Sequence, residues 1–174
     1  MRLFAVIRSA IYMTAFVSLW AWLALTLRRF DPRLGVATPD WCRPIGLGLM
    51  VLGAALGLLC GLVFSTRGRG TPAPFDPPRE FVASGPYRYV RNPMYVGGLT
   101  LLLGFGLYLQ SLSIIVLAIG FALLAHLFVI LVEEPGLEHR FGDSYRCYKQ
   151  SVHRWLPVLP PGGAGVPSPR SHPT

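Results

Sequence analysis

Two short polar segments interrupt an otherwise apolar chain, and their residue types suit the binding of a charged small molecule. The first, residues 84–98, contains three tyrosines and two arginines within nine positions: Tyr87, Arg88, Tyr89, Arg91 and Tyr95. Asn92 and Pro93 predict a helix start here, with Asn92 as N-cap and Pro93 in the first turn. A helix N-terminus beside arginines favours an anionic group, and aromatic rings favour a cation.

The second segment is Glu133-Glu134-Pro135, at the end of the longest uncharged run. Pro135 predicts that the helix ends there, and carboxylates at an electronegative helix C-terminus cost up to about 1 kcal/mol each. Such a position requires a cation, which Arg88, Arg91 or a positively charged ligand supplies. We expect at least one glutamate to contact a ligand; a purely structural ion pair is the alternative.

The composition places these segments in a membrane protein. Only 14% of residues are charged and 52% are hydrophobic, whereas soluble domains carry roughly 25% charged residues. The net charge of +8 lies in short islands between apolar runs, which argues against a nucleic-acid partner. Three cysteines with no close pair, Cys42, Cys60 and Cys147, exclude a disulfide scaffold. The bilayer is therefore the expected partner.

The uncharged runs predict an all-α integral membrane protein with about four transmembrane helices, at 9–27, 44–64, 93–109 and 112–132. A cleavable signal peptide is the alternative for the first run. The stretch between Arg91 and Glu133 would span about 61 Å as one helix, twice the hydrocarbon core, so we expect a tight helical hairpin at 110–113. Gly53, Gly57 and Gly61 share one helix face, which indicates close helix packing or simply the abundance of glycine in membrane helices.

An amphipathic helix is predicted at 136–152, lying on the membrane, with Gly142 as a point of interruption. Its apolar stripe consists of Leu137, Phe141, Tyr145, Tyr148 and Val152. Residues 1–156 form one expected domain, and the Pro-, Gly- and Ser-rich segment 157–174 is expected to be disordered. Residues 70–79 are expected to form an ordered but irregular loop.

The basic residues predict an orientation. Twelve fall on the side of the N-terminus and four on the other, so the positive-inside rule places the N-terminus in the cytoplasm. Lys149 is the single lysine against fifteen arginines, a composition typical of a prokaryotic source and hence of an inner membrane. No metal site is predicted, because His126, His139 and His153 lack the spacing of zinc ligands.

The segments GPYRYVRNPMYVGG (85–98) and EEPGLEHRFGDSYRCYKQSVHRWLP (133–157) together resemble the isoprenylcysteine carboxyl methyltransferase family and its phospholipid methyltransferase relatives. The resemblance covers roughly residues 75–157. It implies S-adenosylmethionine as cofactor and a multi-pass membrane methyltransferase acting at the cytoplasmic face. The eukaryotic pattern has histidine where this chain has Asn92, which leaves a hydrogen bond there but removes any charge.

Carried over by position, the resemblance implies cofactor contacts from nine residues: Tyr89, Val90, Arg91, Asn92, Pro93, Tyr95, Gly97, Glu133 and Glu134. Gly98 would join Gly97 in close contact along the cofactor. Arg91 and Glu133 are the expected catalytic residues. Arg91, and then Arg88, are the candidates for holding an acceptor carboxylate. Methyl transfer is a one-step displacement, so the protein has to orient two reactants and exclude water.

The implied reaction is O-methylation of a carboxylate on a lipophilic or prenylated acceptor. Three alternatives remain: a phospholipid or amine N-methyltransferase, an NADPH-dependent membrane reductase of the sterol-reductase type, and a membrane scaffold without enzymatic activity. The oligomeric state is left open by the sequence.

Overall fold

A computed structural model describes residues 2–34, 39–63 and 83–158, and every regular element in these ranges is helical. The prediction of an all-α protein is therefore confirmed. Within these ranges seven α-helices occur in chain order: α1 (Arg2–Leu27), α2 (Asp31–Leu34), α3 (Cys42–Val63), α4 (Pro93–Tyr108), α5 (Leu112–Phe128), α6 (Glu134–Phe141) and α7 (Asp143–Ser151). Short 3-10 turns lie at Arg28–Phe30 and Gly85–Arg88, and a π-helical turn occupies Val129–Glu133.

In the described part of the chain, three helical segments are long and apolar enough to cross a membrane: Ala10–Arg33, Cys42–Val63 and Leu112–Phe141. The fourth apolar helix, α4, has 16 residues and is therefore about 24 Å long, shorter than the roughly 30 Å hydrocarbon core. The predicted set of apolar helices is present. The first and last residues of α3 and α4 lie within two residues of the predicted helix bounds. The first helix begins at Arg2, earlier than predicted.

The predicted hairpin between α4 and α5 is confirmed. Gln110 takes a positive φ of 54° to reverse the chain, and Ser111 is the N-cap of α5, its hydroxyl accepting from the amide of Ile114 at 3.3 Å. At the same end of the bundle, Asp31 accepts from the amide of Ser113 at 2.9 Å. This tie connects the end of the first spanning segment to the start of α5.

Glycines bring α3 and α4 into backbone contact. A Cβ on Gly53 would collide with the backbones of Gly97 and Leu101, and one on Gly46 would collide with that of Gly104. The interface therefore repeats every seven residues, at Gly46 and Gly53 on α3 and at Gly97 and Gly104 on α4. Of the predicted stripe, Gly53 alone points into α4: a Cβ on Gly57 would meet open space, and Gly61 faces Met13 of α1.

The first helix crosses the hairpin through aromatic contacts. Trp20 meets Phe121 of α5 edge-on, with ring centroids 4.8 Å apart, and Ala24 is fully buried beside Leu102. From Ile7 to Leu25, large apolar side chains of α1 such as Ile11 and Trp22 are exposed, which is the pattern of a helix that faces lipid.

The helix does not end at Glu133, contrary to the prediction. It passes through the π turn at Val129–Glu133, where the amide of Glu134 donates to the carbonyl of Val129, and continues as α6. Pro135 has no amide hydrogen and its ring would clash in a regular α-helix, whereas a wider turn leaves room for it. The expected helix-dipole penalty on the two glutamates therefore does not apply.

The predicted single amphipathic helix at 136–152 is two helices. Gly142 separates α6 from α7 with φ 52° and ψ −127°, so the expected interruption is confirmed. The predicted loop at 70–79 and residues 159–174 of the expected tail lie outside the described residues.

Candidate functional site

Two irregular segments of the chain, one before α4 and one after α7, run side by side at the end of the bundle opposite the hairpin. The amide of Arg91 donates to the carbonyl of His153 at 2.9 Å, and that of Val158 donates to Tyr89 at 2.8 Å. These bonds hold residues 153–158, here called the C-terminal segment, along the entry to α4. The last described residues of the chain therefore lie against the first polar segment, residues 84–98.

Asn92 takes part in this pairing through its side chain. It occupies the N-cap position of α4, as predicted, but its side chain accepts no capping hydrogen bond. Instead its Nδ2 donates to the carbonyl of Arg154 at 3.3 Å. The predicted N-cap position of Asn92 is therefore confirmed, while its side chain binds the returning segment, which offers a carbonyl acceptor at this point.

The apolar stripe of α7 packs inside the protein against this pair of segments. Tyr145, Tyr148 and Val152 are each only 3% exposed, and the hydroxyl of Tyr148 donates to the carbonyl of Tyr87 at 2.6 Å. The apolar stripe was predicted correctly. It packs against the first polar segment, residues 84–98, and not only against the membrane surface. Burial raises the pKa of Tyr145 to about 12, so this phenol is neutral at physiological pH.

Glu134 lies at the centre of a cluster of cations. Its Oε1 accepts from Nη1 of Arg91 at 2.9 Å and from Nε of Arg154 at 2.7 Å, and its Oε2 accepts from Nη2 of Arg154 at 2.9 Å. The side chains of Glu134 and Arg91 are 7% and 11% exposed. Nζ of Lys149 lies 3.9 Å from Oε2 of Glu134. The bond to Glu134 raises the pKa of Arg154, so this guanidinium stays charged.

Glu133 has a different environment although it is the neighbouring residue. Its Oε2 accepts from the hydroxyl of Tyr95 at 3.0 Å, and no arginine or lysine lies within ion-pair distance among the described residues. This half-buried carboxylate is thus stabilised by one neutral donor. Glu133 therefore has no ion-pair partner among the described residues.

Arg91 retains one unused donor. Its Nε is buried and has no hydrogen-bond partner in the described part of the chain, while its Nη1 is bound to Glu134. A buried N–H without an acceptor costs about 1–3 kcal/mol, so this atom favours a ligand oxygen.

The other predicted residues occupy different positions. Arg88 is exposed and has no ion-pair partner among the described residues, and Tyr89 is 45% exposed. Val90 and Pro93 are buried. Gly97 packs against the α3 backbone. The structure therefore brings Arg91 and Glu134 into contact and Tyr95 and Glu133 into contact, while Gly97 serves the helix interface.

Sequence reasoning missed two residues that contact this cluster. Arg154 is the two-point partner of Glu134, and Trp155 packs edge-on against Tyr95 with ring centroids 6.4 Å apart. Neither has a local signal, because both lie on an irregular segment whose return to α4 depends on tertiary packing.

A groove of about 500 Å³ opens on the far side of Glu134. Its lining comes from α6, α7 and the π turn: Ile130, Glu134, Pro135, Glu138, His139, Arg146 and Lys149. Glu138 accepts from Arg146 at 2.9 Å and from Lys149 at 3.1 Å, so most of the charge in this groove is already paired.

Comparison with known proteins gives one family and two relatives. The profile of the phospholipid methyltransferase family matches residues 41–144. An uncharacterised protein of Haemophilus influenzae is 44% identical over 63 residues, which cover 36% of this chain and all of that protein. The cobalt-zinc-cadmium resistance protein CzcN of Cupriavidus metallidurans is 38% identical over 124 residues, 68% of this chain and 52% of that relative. This chain thus spans about half the length of the second relative, and no solved structure matches it significantly.

Proposed function

This chain belongs to the phospholipid methyltransferase family, and from that membership we propose that it transfers the methyl group of S-adenosylmethionine to a lipophilic acceptor. The proposed site lies where α4 begins and the π turn ends. The family match covers both α4 and the two glutamates. It favours a methyltransferase over the reductase and the scaffold.

The observation that carries the proposal is the contrast between the two adjacent glutamates. Glu134 is paired with Arg91 and Arg154, so it holds the C-terminal segment against α4. Among the described residues, Glu133 has only the Tyr95 hydroxyl as a side-chain partner. In a site with little water, an uncompensated carboxylate favours a cation strongly, so we assign Glu133 to the ammonium or the sulfonium of the cofactor.

Arg91 supplies the complementary contact. Its Nη1 is occupied by Glu134, which fixes the guanidinium plane, and its buried Nε has no acceptor in the part of the chain that the structure describes. We assign this N–H to the cofactor carboxylate. When bound, S-adenosylmethionine supplies an electrophilic methyl group that an acceptor takes by in-line displacement. The protein contributes orientation and exclusion of water, so no nucleophilic side chain is required.

Arg88 is the guanidinium we assign to the acceptor. It is exposed at the entry to α4, whereas Arg91 is engaged by Glu134. An arginine binds a carboxylate or a phosphate through paired hydrogen bonds. The favoured reaction is O-methylation of a lipid carboxylate, as the resemblance implies. N-methylation of an aminophospholipid is the second candidate, since the family description names phospholipids.

The test of the reaction uses purified full-length protein in lipid nanodiscs, methyl-labelled S-adenosylmethionine and a lipid extract. Label that becomes volatile on base treatment is a methyl ester, and label that is stable to base is an N- or C-methyl group. We expect volatile label. Calorimetry with S-adenosylhomocysteine and with NADPH separates the enzyme classes, and binding of NADPH alone would overturn the proposal.

The test of the site compares Glu133→Gln with Glu138→Gln. Loss of a charged hydrogen bond is worth about 1.5–3 kcal/mol, which is about tenfold to a hundredfold in Kd. We expect Glu133→Gln to weaken S-adenosylmethionine by this factor, while Glu138→Gln, whose partners face the groove, leaves it unchanged. Equal Kd values for both variants would show that Glu133 does not contact the cofactor. If the affinity for S-adenosylhomocysteine stays unchanged, Glu133 faces the sulfonium instead of the ammonium.

We also propose that the site faces the cytoplasm of a bacterial inner membrane, following the distribution of basic residues. Cys147 is exposed on α7, whereas Cys42 and Cys60 are buried. A membrane-impermeant maleimide should therefore label Cys147 in inverted vesicles and not in intact spheroplasts. The reverse pattern would contradict the orientation.

A further inference from the structure

His126 is a polar side chain on the lipid-exposed face of α5. It is exposed, and Leu123, one turn earlier on the same side of the helix, is 61% exposed. Leu124 and Leu127, further round the helix, are 63% and 53% exposed. An ionisable group among lipid-facing residues is unfavourable unless it is paired or takes part in function. The proposed methyl transfer through Glu133 and Arg91 makes no use of it.

One nitrogen of His126 is paired. Nε1 of Trp155 donates to Nδ1 of His126 at 3.0 Å, and the two rings lie with centroids 6.0 Å apart. Because an indole N–H only donates, Nδ1 carries no hydrogen, and the neutral imidazole must carry its hydrogen on Nε2. Trp155 therefore fixes both the ring orientation and the tautomer. The Nε2–H has no partner among the described residues.

A continuous row of contacting side chains joins this histidine to the candidate site. This row, here called the wall, consists of His126, Trp155, Tyr95 and Glu133. Trp155 packs edge-on against Tyr95 with centroids 6.4 Å apart, and the Tyr95 hydroxyl donates to Glu133 at 3.0 Å. His126 and Glu133 lie seven residues apart on one nearly continuous helix, which is roughly 10 Å along its axis. The wall thus begins at the lipid face and ends at the carboxylate assigned to the cofactor.

We propose that the Nε2–H of His126 donates a hydrogen bond to an oxygen of the lipid acceptor as it enters from the bilayer, and thereby positions that acceptor beside Glu133. The inference rests on the proposed methyl transfer. A lipid carboxylate and a phospholipid phosphate both offer the required oxygen, and both can reach the wall laterally while their chains stay in the hydrocarbon. His126 then selects the acceptor, whereas Glu133 and Arg91 bind the cofactor.

The alternative is a purely structural role, in which the Trp155–His126 bond fastens the C-terminal segment to α5. Two substitutions separate these roles. His126→Asn places an acceptor near the position of Nδ1 and so retains the bond from Trp155, but it removes the outward donor. His126→Gln keeps a donor near the position of Nε2 and removes the acceptor for Trp155.

For acceptor binding, we expect His126→Asn to raise the KM for the acceptor about threefold to tenfold, the value of one hydrogen bond. The kcat at saturation, the Kd for S-adenosylhomocysteine and the Tm should stay close to wild type. His126→Gln should retain most of the acceptor affinity despite a lower Tm. N-acetyl-S-farnesylcysteine and dioleoylphosphatidylethanolamine, assayed in parallel, distinguish a carboxylate from a phosphate source.

A wild-type KM in His126→Asn, or a KM that follows the Tm across both variants, would overturn the inference in favour of the structural role. A measurement independent of turnover is the 15N spectrum of labelled histidine. The resonance of His126 should report the Nε2–H tautomer and shift when N-acetyl-S-farnesylcysteine or dioleoylphosphatidylethanolamine is added to protein saturated with S-adenosylhomocysteine. A resonance that neither lipid shifts would refute the acceptor contact even if methyl transfer were confirmed, and a shift without methyl transfer would refute only the proposed reaction.

Discussion

Glu134 and Arg154 form a two-point ion pair, with Nε of Arg154 2.7 Å from Oε1 and Nη2 2.9 Å from Oε2. The pair joins the start of α6 to the C-terminal segment, twenty residues later in the chain. Arg91 completes it from the α4 side at 2.9 Å. A single buried carboxylate thus fastens three parts of the polypeptide at the edge of the membrane bundle.

Removal of Glu134 is therefore expected to destabilise the protein strongly. Glu134→Ala leaves Arg91 and Arg154 facing each other without an anion, and breaking a buried pair in this way costs about 3 kcal/mol. The Tm in detergent should fall by several degrees. Glu138→Ala is the control, because Glu138 binds Arg146 and Lys149 at the surface, where salt screens the interaction. Similar Tm values for the two variants would show that the cluster at Glu134 contributes nothing special.

The backbone contact between α3 and α4 gives a second matched pair. Gly53→Ala places a Cβ against the backbones of Gly97 and Leu101, which cannot yield as a flexible side chain would, while Gly57→Ala faces open space. Overpacking of this kind costs about 1–3 kcal/mol. We expect Gly53→Ala to lower the Tm and Gly57→Ala to leave it unchanged. If Gly57→Ala is the more damaging, the contact follows the originally predicted stripe instead.

The break between α6 and α7 depends on Gly142. Its φ of 52° with ψ of −127° lies in a region that residues with a Cβ avoid. Gly142→Ala should cost at least about 1 kcal/mol and loosen α7, which limited proteolysis after Gly142 would detect. Gly136→Ala is the control in α6, where a Cβ meets nothing and alanine improves helix propensity by up to about 1 kcal/mol. Equal cleavage of both variants would argue against strain at Gly142.

Burial of Tyr145 predicts a loss of stability at alkaline pH. Its pKa is raised from 10.0 to about 12, so the folded state holds the phenolic proton more tightly than the unfolded state does. The resulting stability is fully present below pH 10 and declines as the pH rises through about 12. Tm measured against pH should decline less in Tyr145→Phe than in the wild type. A wild-type Tm that stays constant across this range would contradict the assignment.

Local sequence signals were sufficient for the membrane helices and the hairpin. Long uncharged runs, the Gln110–Ser113 cluster and Pro93 mark where each element lies, because hydrophobic length and turn chemistry depend on neighbouring residues only. The interruption at Gly142 belongs to the same class. The end of the helix at Pro135 was predicted wrongly, because a π turn, which has no clear signature in the sequence, accommodates the proline.

The partners of the site residues depended on the tertiary structure. The sequence predicted that Glu133 and Glu134 lie near arginines but did not distinguish the two glutamates. They are neighbours on one nearly continuous helix, and they differ only in which other segments of the protein pack beside them. Packing of α7 against Tyr87 brings Arg154 to Glu134 and Trp155 to Tyr95 and His126. These contacts join residues 20 to 61 positions apart, and their geometry follows from how the chain returns rather than from any local pattern. The sequence thus determined a membrane protein with charge at one end of a hairpin, and the fold decided which carboxylate is paired with arginines and which is paired with a tyrosine hydroxyl.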